Sequence, residues 1–302
     1  MHERTGQHAE NTLKLANALG ETATLVAVDI GNSGIKLGQF ARAAAPESGG
    51  ETVSQSRGSQ SLPEPTATFE LPIAHETGEF DAKALAAWCE QHLPADTHWS
   101  IGSVHRGAGD LLAATLAAWS KQLGASWPIR RLTYQDVAIE IRVEEPPRVG
   151  IDRLLAAVAA NHLRAADRAA IVVDLGTAIT VDLVEADGAY AGGAILPGIG
   201  MSGRALAEQT DALPRVVLDL KTQPAPLGKT TVGCIEAGLY WGAVGAIGEL
   251  IRQLTSQLSV EPDCFITGGA SAAFVEPLQA QARVRHEPHL VLAGIALLDA
   301  HS

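Results

Sequence analysis

A short motif occurs twice in this chain, and the duplication restricts the possible folds more than any other feature of the sequence. Each copy is an apolar run, an aspartate, one spacer residue and a glycine, with the aspartates at Asp29 and Asp174. A second apolar run follows each glycine, so each copy predicts a β-hairpin that turns at Gly31 or Gly176. Two such motifs 145 residues apart indicate an internal duplication, and therefore a molecule of two similar halves.

The length and composition agree with two halves of α/β type. The chain has 302 residues, which suits two domains of about 150 residues each. Hydrophobic residues make up 46% and aromatic residues only 4%, the usage of an ordinary α/β protein. We predict a polar leader over residues 1–22, a first domain over 23–165 and a second domain over 166–302. A Pro-, Gly- and Ser-rich stretch predicts a loop insertion near residues 43–65.

Hydrophobic periodicity predicts the same order of elements in both halves. The first half is predicted to begin with three strands, over residues 25–30, 35–40 and 67–73, before helix and strand alternate. The second half is predicted to repeat the three strands and to add a long helix over about 232–258 and a terminal helix near 290–300. Each half therefore predicts a sheet flanked by helices.

Charge and cysteine usage argue against several classes of partner and site. The net charge of −12 disfavours a nucleic-acid or anionic membrane surface, because like charges repel. The first twenty residues lack the apolar core of a signal peptide, and no later run approaches 18 uninterrupted apolar residues. Cys89, Cys234 and Cys264 form no C-x-x-C pair, which argues against a disulfide framework or a zinc site. We predict a cytoplasmic protein with no nucleic-acid or membrane partner.

The first hairpin carries the residue types that bind phosphate. A glycine at the tip, Gly31, can take a positive φ and lets backbone N–H groups approach an anion closely. Asn32 and Ser33 add donors, Asp29 can hold a hydrated Mg²⁺, and Lys36 supplies a positive charge for the γ-phosphate. The alternative is a purely structural hairpin, which is common for such a turn.

The second hairpin doubles this arrangement. Two related hairpins can grip a triphosphate from two sides, which suits phosphoryl transfer because its catalysis is mostly positioning and charge neutralisation. Thr177 follows the turn glycine, and Thr180 and Asp182 share one face of the return strand. The alternatives are a structural hairpin copied with the domain, and a Thr180 and Asp182 that face only solvent.

The junction between the two halves carries a possible proton acceptor. Gly150, Ile151, Asp152 and Arg153 precede an alanine-rich helix predicted over residues 154–163. At the floor of an interdomain cleft, Asp152 can accept the proton of a substrate hydroxyl, and Arg153 can neutralise a carboxylate or the transferred phosphoryl group. The alternatives are that Asp152 only caps the helix and that Arg153 forms a salt bridge that pins it.

The order of these motifs resembles the type III pantothenate kinases, bacterial enzymes of coenzyme A synthesis. The motifs are D-I-G-N-S-x-x-K, G-I-D-R, V-D-L-G-T-A-x-T-x-D, Y-x-G-G-A-I-L-P-G, L-G-K-T-T and T-G-G-A, and the resemblance covers residues 25–300. It implies an α/β fold of two duplicated ribonuclease H-like domains of the actin-like ATPase type, with mixed five-stranded sheets flanked by helices. It also implies a homodimer that uses ATP to phosphorylate pantothenate to 4'-phosphopantothenate.

The resemblance also implies roles for individual residues. Asp152 corresponds to the proton acceptor, Asp174 to the ligand of a monovalent cation such as K⁺ or NH₄⁺, and Asp29 is expected to hold the Mg²⁺ of Mg-ATP through water. The implied substrate-binding residues are Gly150, Ile151, Asp152, Arg153 and Thr231; Thr231 has the alternative of capping the helix that follows it. The implied ATP-binding residues are Asp29, Ile30, Gly31, Asn32, Ser33, Gly34, Ile35, Lys36 and Thr177.

Two positions depart from the pattern of many family members. Val143 stands where many have an aromatic contact to pantothenate, and Ala156 stands where many have asparagine. These departures are the best support for one alternative, a non-catalytic nucleotide-binding regulator. Two more alternatives stay open within the same fold: another small-molecule kinase of the superfamily, and a phosphate-releasing hydrolase in which water takes the acceptor position.

Overall fold

A computed structural model describes residues 24–42 and 61–300 of the chain. The predicted leader over 1–22 and most of the predicted insertion lie outside the described residues. The described part is α/β, with two five-stranded mixed sheets that are flanked by helices. The predicted fold class is therefore confirmed.

The first sheet has the strand order β3-β2-β1-β4-β5. β1 pairs antiparallel with β2 and parallel with β4, and β2 pairs antiparallel with β3. Two helices, α1 and α2, lie on either side of β4 in sequence. The bounds are β1 Thr24–Ile30, β2 Gly34–Ala41, β3 Ala67–Pro72, α1 Ala82–His92, β4 Thr97–Ser103, α2 Arg106–Leu123 and β5 Ile129–Arg131.

The second sheet repeats this topology in the order β8-β7-β6-β9-β10. β6 pairs antiparallel with β7 and parallel with β9, as β1 does with β2 and β4. The hairpin β6–β7 is thus the structural copy of β1–β2, as the sequence duplication predicts. The bounds are β6 Ala170–Leu175, β7 Ala178–Val184, β8 Tyr190–Pro197, β9 Asp263–Thr267 and β10 Val284–His286.

The remaining helices begin close to their predicted positions, with small corrections. The junction helix starts three residues earlier than predicted, so that Asp152 and Arg153 belong to its first turn. The edge strands β5 and β10 and the short helix α6 were not predicted from the sequence. The bounds are α3 Ile151–Leu163, α4 Ile199–Glu208, α5 Thr231–Thr255, α6 Val275–Gln279 and α7 Leu290–Ala300.

Helices α3 and α7 form a shared layer of core between the two sheets. α7, from the end of the chain, packs on β1 of the first sheet, whereas α3 packs on β6 and β7 of the second. The two helices cross at Gly294, where a Cβ atom would lie 2.1 Å from the carbonyl oxygen of Leu155. The boundary between residues 165 and 166 stays a prediction, since each half contributes a helix to the other half's sheet.

Helix α5 has the length and the apolar composition that a membrane span requires. Core helices pass the same test, and α5 buries Tyr240, Val244, Ile247 and Ile251 in the cluster beside the second sheet.

Candidate active site

The two hairpins face each other across a cleft of about 700 Å³. The lining also includes the end of β3, Val104 after β4, the first turn of α3, the start of α4, and Gly269 and Ala270 after β9. The hydroxyl groups of Ser33 and Thr177 lie 2.8 Å apart and form a hydrogen bond between the hairpin tips. The structure therefore brings the two copies of the sequence motif together at one site.

The backbone conformation of the two hairpin glycines differs from one of the sequence expectations. Neither Gly31 nor Gly176 has a positive φ, so that expectation is wrong. The turns are closed by backbone hydrogen bonds of 3.0 Å, from Gly31 N–H to Gly34 C=O and from Gly176 N–H to Ala178 C=O. A Cβ on either glycine would meet no described atom closer than 3.5 Å, so contacts among the described residues do not demand glycine there. The close approach of backbone N–H groups to an anion stays a prediction.

Three aspartates, Asp29, Asp152 and Asp174, stand half-buried in this cleft. Burial, with repulsion from Asp152 and Asp174, raises the pKa of Asp29 to about 7. Burial and the charge of Asp152 raise the pKa of Asp174 to about 6. Burial also raises the pKa of Asp152. Each carboxylate therefore becomes a stronger base, and the group as a whole favours a nearby cation.

Lys36 moderates the negative charge around Asp29 and Asp174. It lies opposite Asp29 in the β1–β2 register, and it lowers the pKa of both Asp29 and Asp174. Its ammonium nitrogen is 3.9 Å from the position that a Cβ on Gly269 would occupy. Asp174 touches the same loop, because a Cβ on Gly268, whose φ is +97°, would lie 2.3 Å from Asp174 Oδ1. Glycine at position 268 thus permits the packing of this carboxylate.

Asp152 does not cap its helix with its side chain. Gly150 is the N-cap, and Asp152 Oδ1 accepts a 2.8 Å hydrogen bond from the backbone N–H of Arg153. A Cβ on Gly150 would lie 2.5 Å from Asp152 Oδ1, so this glycine makes room for the carboxylate. Asp152 and Arg153 line the cleft, whereas Ile151 is buried in the core between the sheets.

Arg153 is held in place by a buried partner. Its Nε lies 3.1 Å from each carboxylate oxygen of Asp182, and its Nη2 also donates to Asp182. The Tyr190 hydroxyl donates to the same carboxylate at 2.8 Å, and the tyrosine ring lies 5.8 Å from the guanidinium carbon. The expected salt bridge therefore exists, but it leaves N–H groups of Arg153 unused by Asp182.

The alternative that Asp182 faces only solvent is wrong, because this side chain is 2% exposed. Thr180, on the same face of β7, lines the cleft. The sequence did not predict that Asp182 and Tyr190 are the residues that hold Arg153 in place. The sequence held a partial signal for this support. Side chains alternate between the two faces of a strand, so Thr180 and Asp182, two residues apart in β7, lie on the same face.

Thr231 lies away from the cleft of its own chain. It is the exposed first residue of α5 and is not among the described residues that line the cleft. The suggestion that it caps the helix is wrong, because the hydroxyl of Thr230 accepts the capping hydrogen bond from Gly233 N–H at 3.1 Å. Its predicted contact with pantothenate stays a prediction.

The two departures from the family pattern are both packing positions. Val143 packs on the core between the sheets, 3.4 Å from the place of a Cβ on Gly192. Ala156 is 2% exposed within α3.

The carboxylates of the cleft can bind a cation if a bound nucleotide supplies further ligands. Among the described residues, no group of three or more His, Cys, Asp or Glu side chains is arranged to hold a metal ion alone. The pKa values of Asp29 and Asp174 are nevertheless raised, first by burial and then by neighbouring carboxylates, although Lys36 lowers both. A cation beside these carboxylates, with further oxygen ligands from phosphate and water, fits this charge.

Sequence comparison identifies the family. A model of the type III pantothenate kinases matches residues 25–253. The chain belongs to this family. The type III pantothenate kinase of Rhodopirellula baltica is 38% identical over 206 residues, 67% of this chain and 71% of that protein. That of Parafrankia sp. is 31% identical over 237 residues, 73% of this chain and 91% of that protein.

Solved structures of similar shape are remote in sequence. The ethanolamine utilization protein EutJ from Carboxydothermus hydrogenoformans is 16% identical, with 97% of this chain and 98% of that one covered at a TM-score of 0.45. The archaeal actin homolog Ta0583 is 14% identical, with 92% and 99% covered at a TM-score of 0.45. Membership of the kinase family rests on the sequence match instead.

Proposed function

We propose that this chain transfers the γ-phosphate of ATP to the terminal hydroxyl of pantothenate, with Asp152 as the proton acceptor. Membership of the type III pantothenate kinase family makes it a kinase of coenzyme A biosynthesis. The observation that carries the assignment of Asp152 is its place in the cleft formed by both phosphate hairpins, where burial raises its pKa. A carboxylate with a raised pKa is a better general base.

In the proposed reaction, the hydroxyl oxygen of pantothenate forms a bond to the γ-phosphorus as the bond from that phosphorus to the β,γ-bridging oxygen breaks. The hydroxyl proton moves to Asp152, and ADP leaves with the electron pair of the broken bond. The backbone of both hairpins, with Lys36 and Thr177, orients the phosphates. Catalysis then depends mainly on alignment and on neutralisation of charge.

Arg153 is proposed to bind the carboxylate of pantothenate. Asp182 holds the Nε and Nη2 side of the guanidinium group, and Arg153 lines the cleft with N–H groups that Asp182 does not use. A fixed guanidinium loses little entropy when it binds a carboxylate, which favours this residue over a free lysine. Gly150 and Ile151 contribute by placing Asp152 and Arg153 rather than by a contact of their own.

Asp29 and Asp174 are proposed to hold the cations, Asp29 the Mg²⁺ of Mg-ATP through water and Asp174 a monovalent cation, K⁺ or NH₄⁺. When bound, these ions neutralise phosphate charge beside three carboxylates that would otherwise repel ATP. We propose further that the enzyme is a cytoplasmic homodimer.

A coupled ADP-release assay tests the proposal. The wild type should release ADP only when pantothenate is present, and phosphopantothenate should form in equal amount. Asp152→Asn should lower kcat at least about 100-fold, the range for loss of a general base, and leave the KM for ATP nearly unchanged. Asp211→Asn, an exposed carboxylate outside the cleft lining, is the matched control. Full activity of the Asp152→Asn variant would remove Asp152 from this role.

A further inference from the structure

The loop between β3 and α1 packs against the tip of the first phosphate hairpin. Two hydrogen bonds join them, each with the hairpin carbonyl as acceptor. The backbone N–H of Ile73 donates to Ser33 C=O at 3.2 Å, and His75 Nδ1 lies 3.2 Å from Asn32 C=O. Both accepting carbonyls belong to the segment that is proposed to bind ATP.

The hydrogen-bond partners determine the proton positions on two histidines. A carbonyl oxygen only accepts, so His75 Nδ1 carries the hydrogen in the bond to Asn32. His105 Nδ1 accepts from the backbone N–H of Ala108 at 3.2 Å, and therefore carries no hydrogen. His105 Nε2 then carries the hydrogen and donates to the carbonyl of His75 at 2.9 Å. A chain of hydrogen bonds thus runs from the start of α2, through both histidines, to the hairpin tip.

The loop that presents His75 is itself closely packed. Its turn is closed by hydrogen bonds from Gly78 N–H to Ala74 C=O at 2.7 Å and from Ala74 N–H to Glu79 C=O at 2.8 Å. Gly78 has a φ of +75°, and a Cβ there would lie 2.5 Å from the backbone nitrogen of Ala108. The loop therefore packs directly on the first turn of α2, and this packing restricts the position of the His75 backbone.

The direction of the Asn32 carbonyl fixes the direction of the next N–H group. In a planar trans peptide, the C=O of one residue and the N–H of the next point to opposite sides. Because His75 holds the Asn32 carbonyl toward the loop, the N–H of Ser33 points away from the loop. Ser33 lines the cleft, and its side chain is already directed toward Thr177 on the opposite hairpin.

We propose that His75 is a positioning residue for ATP, which orients the peptide between Asn32 and Ser33 so that its N–H group can donate to a phosphate. The inference rests on the proposed function for the identity of the ligand. His75 is exposed and is not among the described residues that line the cleft, so it acts through the hairpin and not by touching the nucleotide.

Two substitutions separate the hydrogen bond from packing. His75→Phe keeps a ring but has no N–H, whereas His75→Asn keeps an N–H donor close to the position of Nδ1. His75→Phe should raise the Kd for ATP, measured by calorimetry, about fivefold, which corresponds to about 1 kcal/mol at 1.4 kcal/mol per tenfold. The KM for ATP should rise by the same factor, whereas kcat and the KM for pantothenate should stay within about twofold.

His75→Asn should restore ATP binding to within about twofold of the wild type, because it restores the donor. Glu76→Ala, at the next exposed position of the loop, is the matched control and should bind ATP as the wild type does. Unchanged ATP binding in His75→Phe, or equal weakening in the Phe and Asn variants, would overturn the proposal. So would equal rises in the KM values of both substrates, which indicate general distortion. If the wild type fails to phosphorylate pantothenate, the proposed function fails, but ATP calorimetry still decides the role of His75.

Discussion

Asp182 shows how a residue that does not line the cleft can control a residue that does. This carboxylate is 2% exposed and holds the guanidinium group of Arg153 from behind, together with the hydroxyl of Tyr190. Burial and the neighbouring Asp182 raise the pKa of the Tyr190 phenol, so that the hydroxyl remains a donor. The guanidinium group of Arg153, the proposed partner of the pantothenate carboxylate, is therefore positioned before any ligand arrives, which would reduce the entropy lost on binding.

Replacement of Asp182 by asparagine should weaken the binding of pantothenate selectively. The variant loses charge-assisted bonds to Arg153, and we expect a KM for pantothenate about tenfold higher, equivalent to about 1.4 kcal/mol. The KM for ATP should stay within about twofold, because the Asp182 side chain, although it belongs to β7, bonds to Arg153 and Tyr190 and not to the hairpin tips. Asp110→Asn, which removes an exposed ion pair with Arg131, is the control. An equal rise in both KM values would contradict the assignment of Arg153 to pantothenate.

The raised pKa values of Asp29 and Asp174 should make the stability of the cation-free protein depend on pH. In the folded state, the pKa is about 7 for Asp29 and about 6 for Asp174, whereas an aspartate in the unfolded chain has its ordinary pKa of 3.8. The folded state thus binds more protons in this interval, and the free energy of unfolding should fall as the pH rises from about 4 to about 7. Below pH 4 this contribution is fully present.

Thermal unfolding with a chelator, at about pH 5 and about pH 7.5, measures this loss. The Asp29→Asn variant should lose less stability than the wild type over the same interval, since asparagine does not titrate. Mg²⁺, K⁺ and ATP together should also reduce the loss, because cations favour the ionised carboxylates. Equal slopes in wild type and Asp29→Asn would refute a raised pKa at Asp29.

At the scale of elements, the crossing of α3 and α7 places the first turn of α3. Gly294 brings the backbones into close contact, and α7 packs in turn on β1, the strand that ends in Asp29 and Ile30. One helix crossing therefore links the junction segment of Asp152 to the first phosphate hairpin.

Gly294→Ala should destabilise the protein by about 1–3 kcal/mol, because its Cβ would overlap the carbonyl of Leu155. Gly245→Ala is the matched control, since a Cβ there meets no described atom within 4 Å and alanine favours the helix by up to about 1 kcal/mol. Denaturant unfolding of the two variants and the wild type gives the free energies. A Gly294→Ala variant as stable as Gly245→Ala would show that the helices can separate without cost.

The element boundaries also show which helices and strands local hydrophobic periodicity can predict. The long hairpin strands and α5 were predicted close to their observed positions, because many residues contribute to each periodicity. β5 and β10 have three residues each, too few for alternation to stand out. They are strands only because β4 and β9 offer free edges to pair with.

At the scale of the whole molecule, the position of Thr231 raises the question of whether it contributes to the site of a second subunit. It is exposed and stands outside the cleft lining of its own chain, whereas the resemblance to the family implies that it contacts pantothenate. In a homodimer with isologous contacts, a residue outside its own site can complete the site of the other subunit. We therefore expect Thr231 to act across the proposed homodimer.

Mixing two defective variants tests this expectation. Asp152→Asn and Thr231→Val should each lower activity when pure. If Thr231 acts across the dimer, subunits mixed in equal amounts and allowed to exchange should recover about a quarter of the wild-type activity, since half are heterodimers with one intact site. Sedimentation should also give twice the chain mass of 31.5 kDa. No recovery in exchanged heterodimers would place the role of Thr231 within its own chain.

The sequence by itself determined the duplicated hairpins, the α/β class and the family, because turn residues and hydrophobic periodicity are local properties of the chain. Only the tertiary structure decided how the candidate site is supported. It showed that Asp182 binds Arg153 and that His75 bonds to the carbonyl of Asn32. It also showed that Asp29 and Asp174, 145 residues apart in sequence, share one cleft and have raised pKa values. These features depend on burial and on distances between remote residues, which exist only once the two halves have packed together.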